Sequence, residues 1–581
     1  MRSPLFPIAF VLALLSAPAL AQSHRIPLPK KFPIGGTAPS GAQLKIADLS
    51  RRIARWPAVE IPFRSRGLTP RQIKMIGKLV EAARQIDAIY WRQTDPYALT
   101  LAAQLKGSGA ARDQQILHYL SINGGQFDLL DGLRSFINGD PSPAGRGFYS
   151  EGENPATTVD AARQSIESYV QAHPDSRAEL FSPYTLVRPM GADLVGLPYR
   201  TLFRTQLLEA AKDLRDAAAL VSGQSDDAAF AEFLRARADA LLSDDYQASD
   251  RLWLALKQPA IDLILAPCLP ALDPLFGVKT SFGAAIILRS AAGKDEQSRQ
   301  LELLRPYLAQ IQQSLPLPDA AKPPLPPTTL ELVESPFRAG ALLHGYQTPS
   351  FTFSSSQGSR TIFFRDLIDA RFQHVISPLV HKLMDASQSG LPTANGYFTT
   401  IVLQEIGREI GPPADRKAFG PIFPALDQAK ADAAGMYAAA WLLDHGVLPK
   451  EREHELYACD LAELLRTLLP YAAQTQSAPP SAALAEFNYL FAQGAIMPHA
   501  GTLSRGTARV VFALDFERLP AAVAALNREL LEIESSGNRS QAEQWFACYA
   551  TPSPALRTAL ESSHDIPVDI APKFSWDLPI K

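Results

Sequence analysis

The stretch Gln404-Glu405-Ile406-Gly407-Arg408-Glu409 has a spacing that could carry chemistry. Residues four apart share one face of a helix, so Gln404 and Arg408 project together with Glu405 beside them. Zinc hydrolases use this spacing for two histidine ligands, with a glutamate next to the first as general base. Here the glutamate is present and both histidine positions hold other residues. The helix enters from apolar Ile401-Val402-Leu403 and stops at Gly411, with Pro412 and Pro413 barring its continuation.

Other chemistries find no local support. None of the ten histidines pairs at HxxxH spacing. His374 and His381 stand nearly two helical turns apart, with Pro378 between them and no third histidine grouped with them. Zinc needs three or four ligands converging within about 2.0–2.3 Å. There is no GxSxG elbow and no phosphate-cradling glycine loop, and Ser354-Ser355-Ser356 reads as a flexible turn. Cys268, Cys459 and Cys548 form no CxxC pair and read as three buried apolar thiols, the alternative being one disulfide with one free thiol.

The elements that must position Glu405 belong to a chain of 581 residues, 46% hydrophobic and 20% charged, with a formal net charge of -3. That composition suits a globular protein with more than one core and gives no reason to expect a nucleic-acid partner. Residues 1–21 read as a signal peptide: Arg2, an apolar run from Leu5 to Leu15, then the small-residue site Ala19-Leu20-Ala21. The run is too short to span a bilayer, so the expectation is an exported protein, periplasmic or secreted, without a transmembrane anchor.

Helical periodicity runs through Thr69–Ile137, Val159–Ala172 and Thr201–Leu242. Ile261–Leu265 and Ala284–Leu288 are short β-type runs, followed by a helix near Gln297–Leu315. The proline-rich Leu315–Pro327 is a stiff connector and marks the boundary between lobes. Beyond it come a polar loop at Ser350–Ser359, an extended Thr361–Phe364 and a helix Asp366–Ala386 broken at Pro378. Further helices are expected at Tyr397–Ile410, Leu426–His445, Ala482–Gln493 and Pro520–Glu534.

Several segments in order resemble the dipeptidyl peptidase III family of zinc peptidases. Gln404–Pro412 is followed by Leu426-Asp427-Gln428-Ala429-Lys430-Ala431-Asp432, leading to Gly435-Met436-Tyr437. Asp244-Asp245-Tyr246, Leu275-Phe276-Gly277-Val278-Lys279, Phe487-Asn488-Tyr489-Leu490 and Ile566-Pro567-Val568-Asp569-Ile570 extend the similarity from about residue 180 to 575. The resemblance implies a mainly α (α+β), two-lobed fold. One lobe is helical and metallopeptidase-like, and the other holds a small β-sheet or barrel with helices, with a cleft between them. The expected division is residues 22–325 for the N-terminal lobe and 326–581 for the lobe with the zinc-site helices.

The same resemblance puts the family's zinc ligands on Gln404, on Arg408 (or Glu409 at the longer spacing that some members use) and on Gln428, with Glu405 as the retained general base. Glu409, Asp427 and Asp432 are neighbouring acids. Gln347 is an expected ligand contact and Asn488 either a ligand contact or a structural side-chain cap, while the family's substrate-binding Glu and Tyr fall on Leu269 and Ala271. A neutral Gln is a weak ligand, and a guanidinium does not give up its proton to hold a cation. The expectation is therefore no zinc and no other cofactor, with Arg408 paired to Glu405, Glu409 or Asp427 in the metal's place. That describes an inactive peptidase scaffold binding a peptide or other small ligand. The alternatives are an active hydrolase with unrecognised metal ligands, a metal-independent activity using Glu405, and a purely structural protein with a filled cleft.

Overall fold

The computed structural model describes residues 48–576 except 64, 66, 96, 150–157, 222–224, 270–271, 290–295, 346–347, 356–357, 413–414, 471–480 and 503–507. The expected leader 1–21, Gln347 and Ala271 lie outside the described residues.

Helix accounts for 58% of the structure, with one curled five-stranded sheet. The strand β1 (Ala58–Phe63) leads into the long helix α1 (Pro70–Thr94). Thr69 and Gln72 start α1 as a reciprocal capping box with Pro70 in the first turn. Next come α2 (Ala111–Asn123), α3 (Arg204–Leu220), α4 (Ser225–Ser243), and the sheet strands β2 (Ile261–Leu269), β3 (Ser281–Leu288) and β4 (Thr328–Gly340). The hairpin β5 (Ser350–Ser355) and β6 (Gly358–Phe364) completes the sheet in the order β2-β3-β4-β6-β5. Only β4 and β6 run parallel. β6 is buried along its whole length and β3 along all but its last residue, as expected of strands covered on both faces.

The C-terminal half is helical: α5 (Ala394–Glu409), α6 (Phe423–Asp444), α7 (Glu453–Leu468), α8 (Ala482–Ala492) and α9 (Leu519–Ser536). The last described strand, β7 (Ala571–Trp576), returns to pair in parallel with β1. Before α5, the break expected at Pro378 is taken up by a π-helical turn, Phe372–Ile376, from which Ser377–Leu383 continues. Among the described residues no helix is long and apolar enough to cross a membrane.

Two hydrophobic cores result. One holds α3, α4 and the sheet, and the other holds α5 to α9 together with α2. α1 serves both, with Ile86 and Ile89 in the first and Tyr90 and Trp91 in the second. The proline-rich connector joins β3 to β4, which are sheet neighbours, so each core draws residues from both sides of residue 325. The sheet interior also holds a balanced charge group. Arg360 donates to Asp262 at 2.5 Å and to Glu331 at 2.6 Å, and Arg289 contacts the same two acids. Burying these carboxylates without their arginines would leave uncompensated charge in a dry interior.

Two sequence expectations change. Ser350–Ser359 is a β-hairpin rather than a polar loop, and Ser354 lies in its first strand. Cys548 is exposed at the end of the helix Arg539–Cys548 and Cys268 is half-buried, so only Cys459 is a buried thiol.

α5 and α6 pack through glycines. A Cβ on Gly407 would collide with the carbonyl of Ala431 and the amide of Gly435, and one on Gly435 would stand 2.5 Å from the Leu403 carbonyl. Gly407→Ala should therefore cost about 3 kcal/mol, read as a lower urea midpoint at unchanged slope.

Candidate functional site

α5 is held at both ends. At its start the Thr393 hydroxyl accepts the Gly396 N–H at 2.9 Å. At its end the Lys430 ammonium, reaching across from α6, donates to the carbonyls of Arg408 and Ile410 at 2.8 and 3.0 Å. A helix leaves its last carbonyls unpaired, and a cation there is favourable. Lys430 is buried and sits 3.8 Å from Glu534, whose carboxyl burial pushes up to about 7.

The glycine crossing brings one face of α5 against the first turns of α6. Arg408 donates through Nη1 to Asp427 and through Nη2 to the Gln428 side-chain oxygen at 2.7 Å. Its Nε stands 3.6 Å from Glu405 Oε2. Gln428 passes the connection on, donating its amide to Asp432 at 2.9 Å. Burial opposes the charge on Arg408, but Glu405, Asp427 and Asp432 together hold it protonated more firmly than a free guanidinium.

The outer side of the same helix face meets the edge strand β5. Ser350 donates to one Glu405 oxygen at 2.8 Å and Thr352 to the other at 3.1 Å. Ser354 and Ser359 both donate to Glu409, at 2.9 and 3.1 Å. Alternate strand residues advance at nearly the pitch of one helical turn, so three hydroxyls meet two carboxylates in register. Phe351 and Phe353 point the other way and pack edge-on against Trp253.

The structure thus gathers Glu405, Arg408, Asp427, Gln428 and Asp432 in one network, with Glu409 one turn along and bonded to serines instead of to Arg408. Gln404 lies half-buried on the same helix and makes no side-chain hydrogen bond among the described residues. Asn488 stands apart: its amide donates to the carbonyls of Tyr549 and Thr551 at 2.7 and 3.0 Å, tying α8 to the chain after Cys548. Among the described residues no three His, Cys, Asp or Glu side chains are grouped to hold a metal ion. The hydroxyls of β5 were missed from sequence, although the alternation Ser350-Phe351-Thr352-Phe353-Ser354 is a strand signal. So was the role of Lys430, which stands between Ala429 and Ala431.

With this geometry defined, comparison with known proteins is informative. No family model matches the chain. Dipeptidyl-peptidase III of Caldithrix abyssi superposes with a TM-score of 0.76 at 28% identity, covering 90% of this chain and 99% of that one. The enzyme of Corallococcus sp. strain EGB gives 0.79 at 25% identity, covering 91% and 97%. The chain is dipeptidyl-peptidase III-like. A curated relative, Nudix hydrolase 3 of Arabidopsis thaliana, is 25% identical over 598 residues, or 91% of this chain and 74% of that protein.

The network has a pH signature. Burial pushes Asp432 from its ordinary 3.8 up to about 7, against the hydrogen bond from Gln428 and the charge of Arg408. Between those values the folded chain keeps a proton that the unfolded chain has released, so stability falls as pH rises from about 4 to about 7 and then levels. Asp432→Asn keeps an acceptor for Gln428 and removes that titration. Urea midpoints across this range should fall less steeply in the variant, with the other carboxyls that burial raises, Asp244 and Glu534 among them, supplying the remaining slope.

Proposed function

We propose that this protein is a dipeptidyl-peptidase III-like scaffold that does not hydrolyse peptides through zinc, and that its two lobes hold a peptide or other small ligand. The observation carrying this reading is the guanidinium of Arg408, hydrogen-bonded to Asp427 and Gln428 where the resemblance puts two zinc ligands. Zinc does not fit these side chains. A permanently protonated guanidinium repels a dication, and its bonds occupy the side-chain oxygens on α6 that a metal would need.

The state of Glu405 supports the same conclusion. A general base needs an open lone pair aimed at a water or substrate proton. Both Glu405 oxygens accept hydroxyls from β5, and Arg408 stands beside them. This also weighs against metal-independent hydrolysis through Glu405. Ligand binding remains compatible, because Arg408, Asp427 and Glu405 are 28%, 21% and 16% exposed, leaving a charged face within reach of solvent. Export belongs to the proposal as well, supported by the basic start, apolar run and small-residue site of residues 1–21.

Metal analysis and peptidase assay on one sample test the reading. The purified chain should carry far less than one zinc per molecule and leave dipeptidyl arylamides uncut. The triple variant Gln404→His/Arg408→His/Gln428→Glu, which rebuilds a His-His-Glu set, should take up about one zinc. Stoichiometric zinc in the unaltered chain, or hydrolysis lost in Glu405→Gln, would overturn it.

A further inference from the structure

A cavity of about 180 Å³ lies away from Arg408, where α2, the turn after β4 and the strand β7 meet. Its wall combines Ile122, Leu343, Ile570 and Pro572 with the polar His118 and Lys573. His118, Ser121 and Ile122 share one face of α2 at helical spacing. Ile122 belongs to one hydrophobic core and Ile570 to the other, so the cavity lies on the seam between them.

The base of this cavity is a bonded histidine. His344 Nδ1 lies 2.6 Å from the Ser121 carbonyl, and Nε2 faces both the Asp87 carboxylate at 2.6 Å and the Trp91 indole N–H, which points at it from 3.0 Å. The carboxylate favours the protonated, charged form of the ring. Burial opposes this charge and Asp87 outweighs it, raising the His344 value, while Trp91 also bonds to Asp87. The ion pair of His344 and Asp87 is therefore internally balanced.

His118 and Lys573 are not balanced. Among the described residues neither side chain makes an ion pair or hydrogen bond, and no acidic side chain lines the cavity. Glu60, opposite Lys573 in the β1–β7 ladder, is exposed and forms no ion pair with it. Burial and then the Lys573 ammonium push the His118 imidazole below its ordinary value, the sign of a positive site without a counter-charge. An anion between the two would relieve that repulsion, and the apolar wall suits a short hydrocarbon body.

We propose that this cavity binds a small aliphatic monocarboxylate, its carboxylate held by His118 and Lys573 and its hydrocarbon body against Ile122, Leu343 and Ile570. The site is independent of the zinc question. Because His344 lies on the segment that leads from β4 to Ser350 at the start of β5, an occupant would touch the chain that carries the hydroxyl bonded to Glu405.

Calorimetric titration of the full chain with sodium 4-methylpentanoate tests this, with 4-methylpentanamide and inorganic phosphate as comparators. The acid should bind saturably, and the uncharged amide and the body-less phosphate at least about tenfold more weakly. Lys573→Gln and His118→Gln, both outside the cores, should each weaken the acid about tenfold, and Leu343→Trp should fill the cavity and abolish binding. Absence of saturable binding by the acid, equal binding by the amide or phosphate, or unchanged binding in both Lys573→Gln and His118→Gln would overturn the proposal.

Discussion

The site depends on how closely two helices approach. Arg408 on α5 reaches Asp427 and Gln428 on α6 because Gly407 and Gly435 let the two backbones nearly touch. Lys430 then fastens the crossing from α6 by bonding the last carbonyls of α5, with Glu534 of α9 3.8 Å from its ammonium. Lys430 and Glu534 are buried and find their charged or carbonyl partners on other helices, so the crossing and the polar bonds across it stand or fall together.

Within that frame, positive charge compensates the carboxylates of the seam. A cluster of carboxylates in a half-buried seam must be neutralised by protons, a cation or a metal ion. Arg408 supplies the cation, Asp432 keeps its proton up to about pH 7, and the hydroxyls of β5 solvate Glu405 and Glu409. The same solution recurs in the sheet, where Arg289 and Arg360 neutralise Asp262 and Glu331.

The edge strand β5 gives this arrangement its reach. Its phenylalanines belong to the sheet's side of the molecule, and its serines and threonine bond to α5 on the other. A strand with one apolar and one hydroxyl face can join two cores without a covalent link or a large apolar interface. The β1–β7 pair makes a second join by bringing the last described strand back to the first.

Much of this was legible in the sequence. The helix around Glu405 follows from its apolar spacing and from Gly411, and the ordered similarity to dipeptidyl peptidase III agrees with the fold observed. The missing histidines were equally plain. Periodicity fixes which side chains share a face, because it is set within about one turn of chain, but not what that face meets. Arg408 could have paired with Glu409, its neighbour in sequence. It meets Asp427 and Gln428 because a glycine contact sets the helix crossing, and Glu409 turns to serines that looked like a loop. Residues distant in sequence choose these partners, so only the tertiary structure decided them.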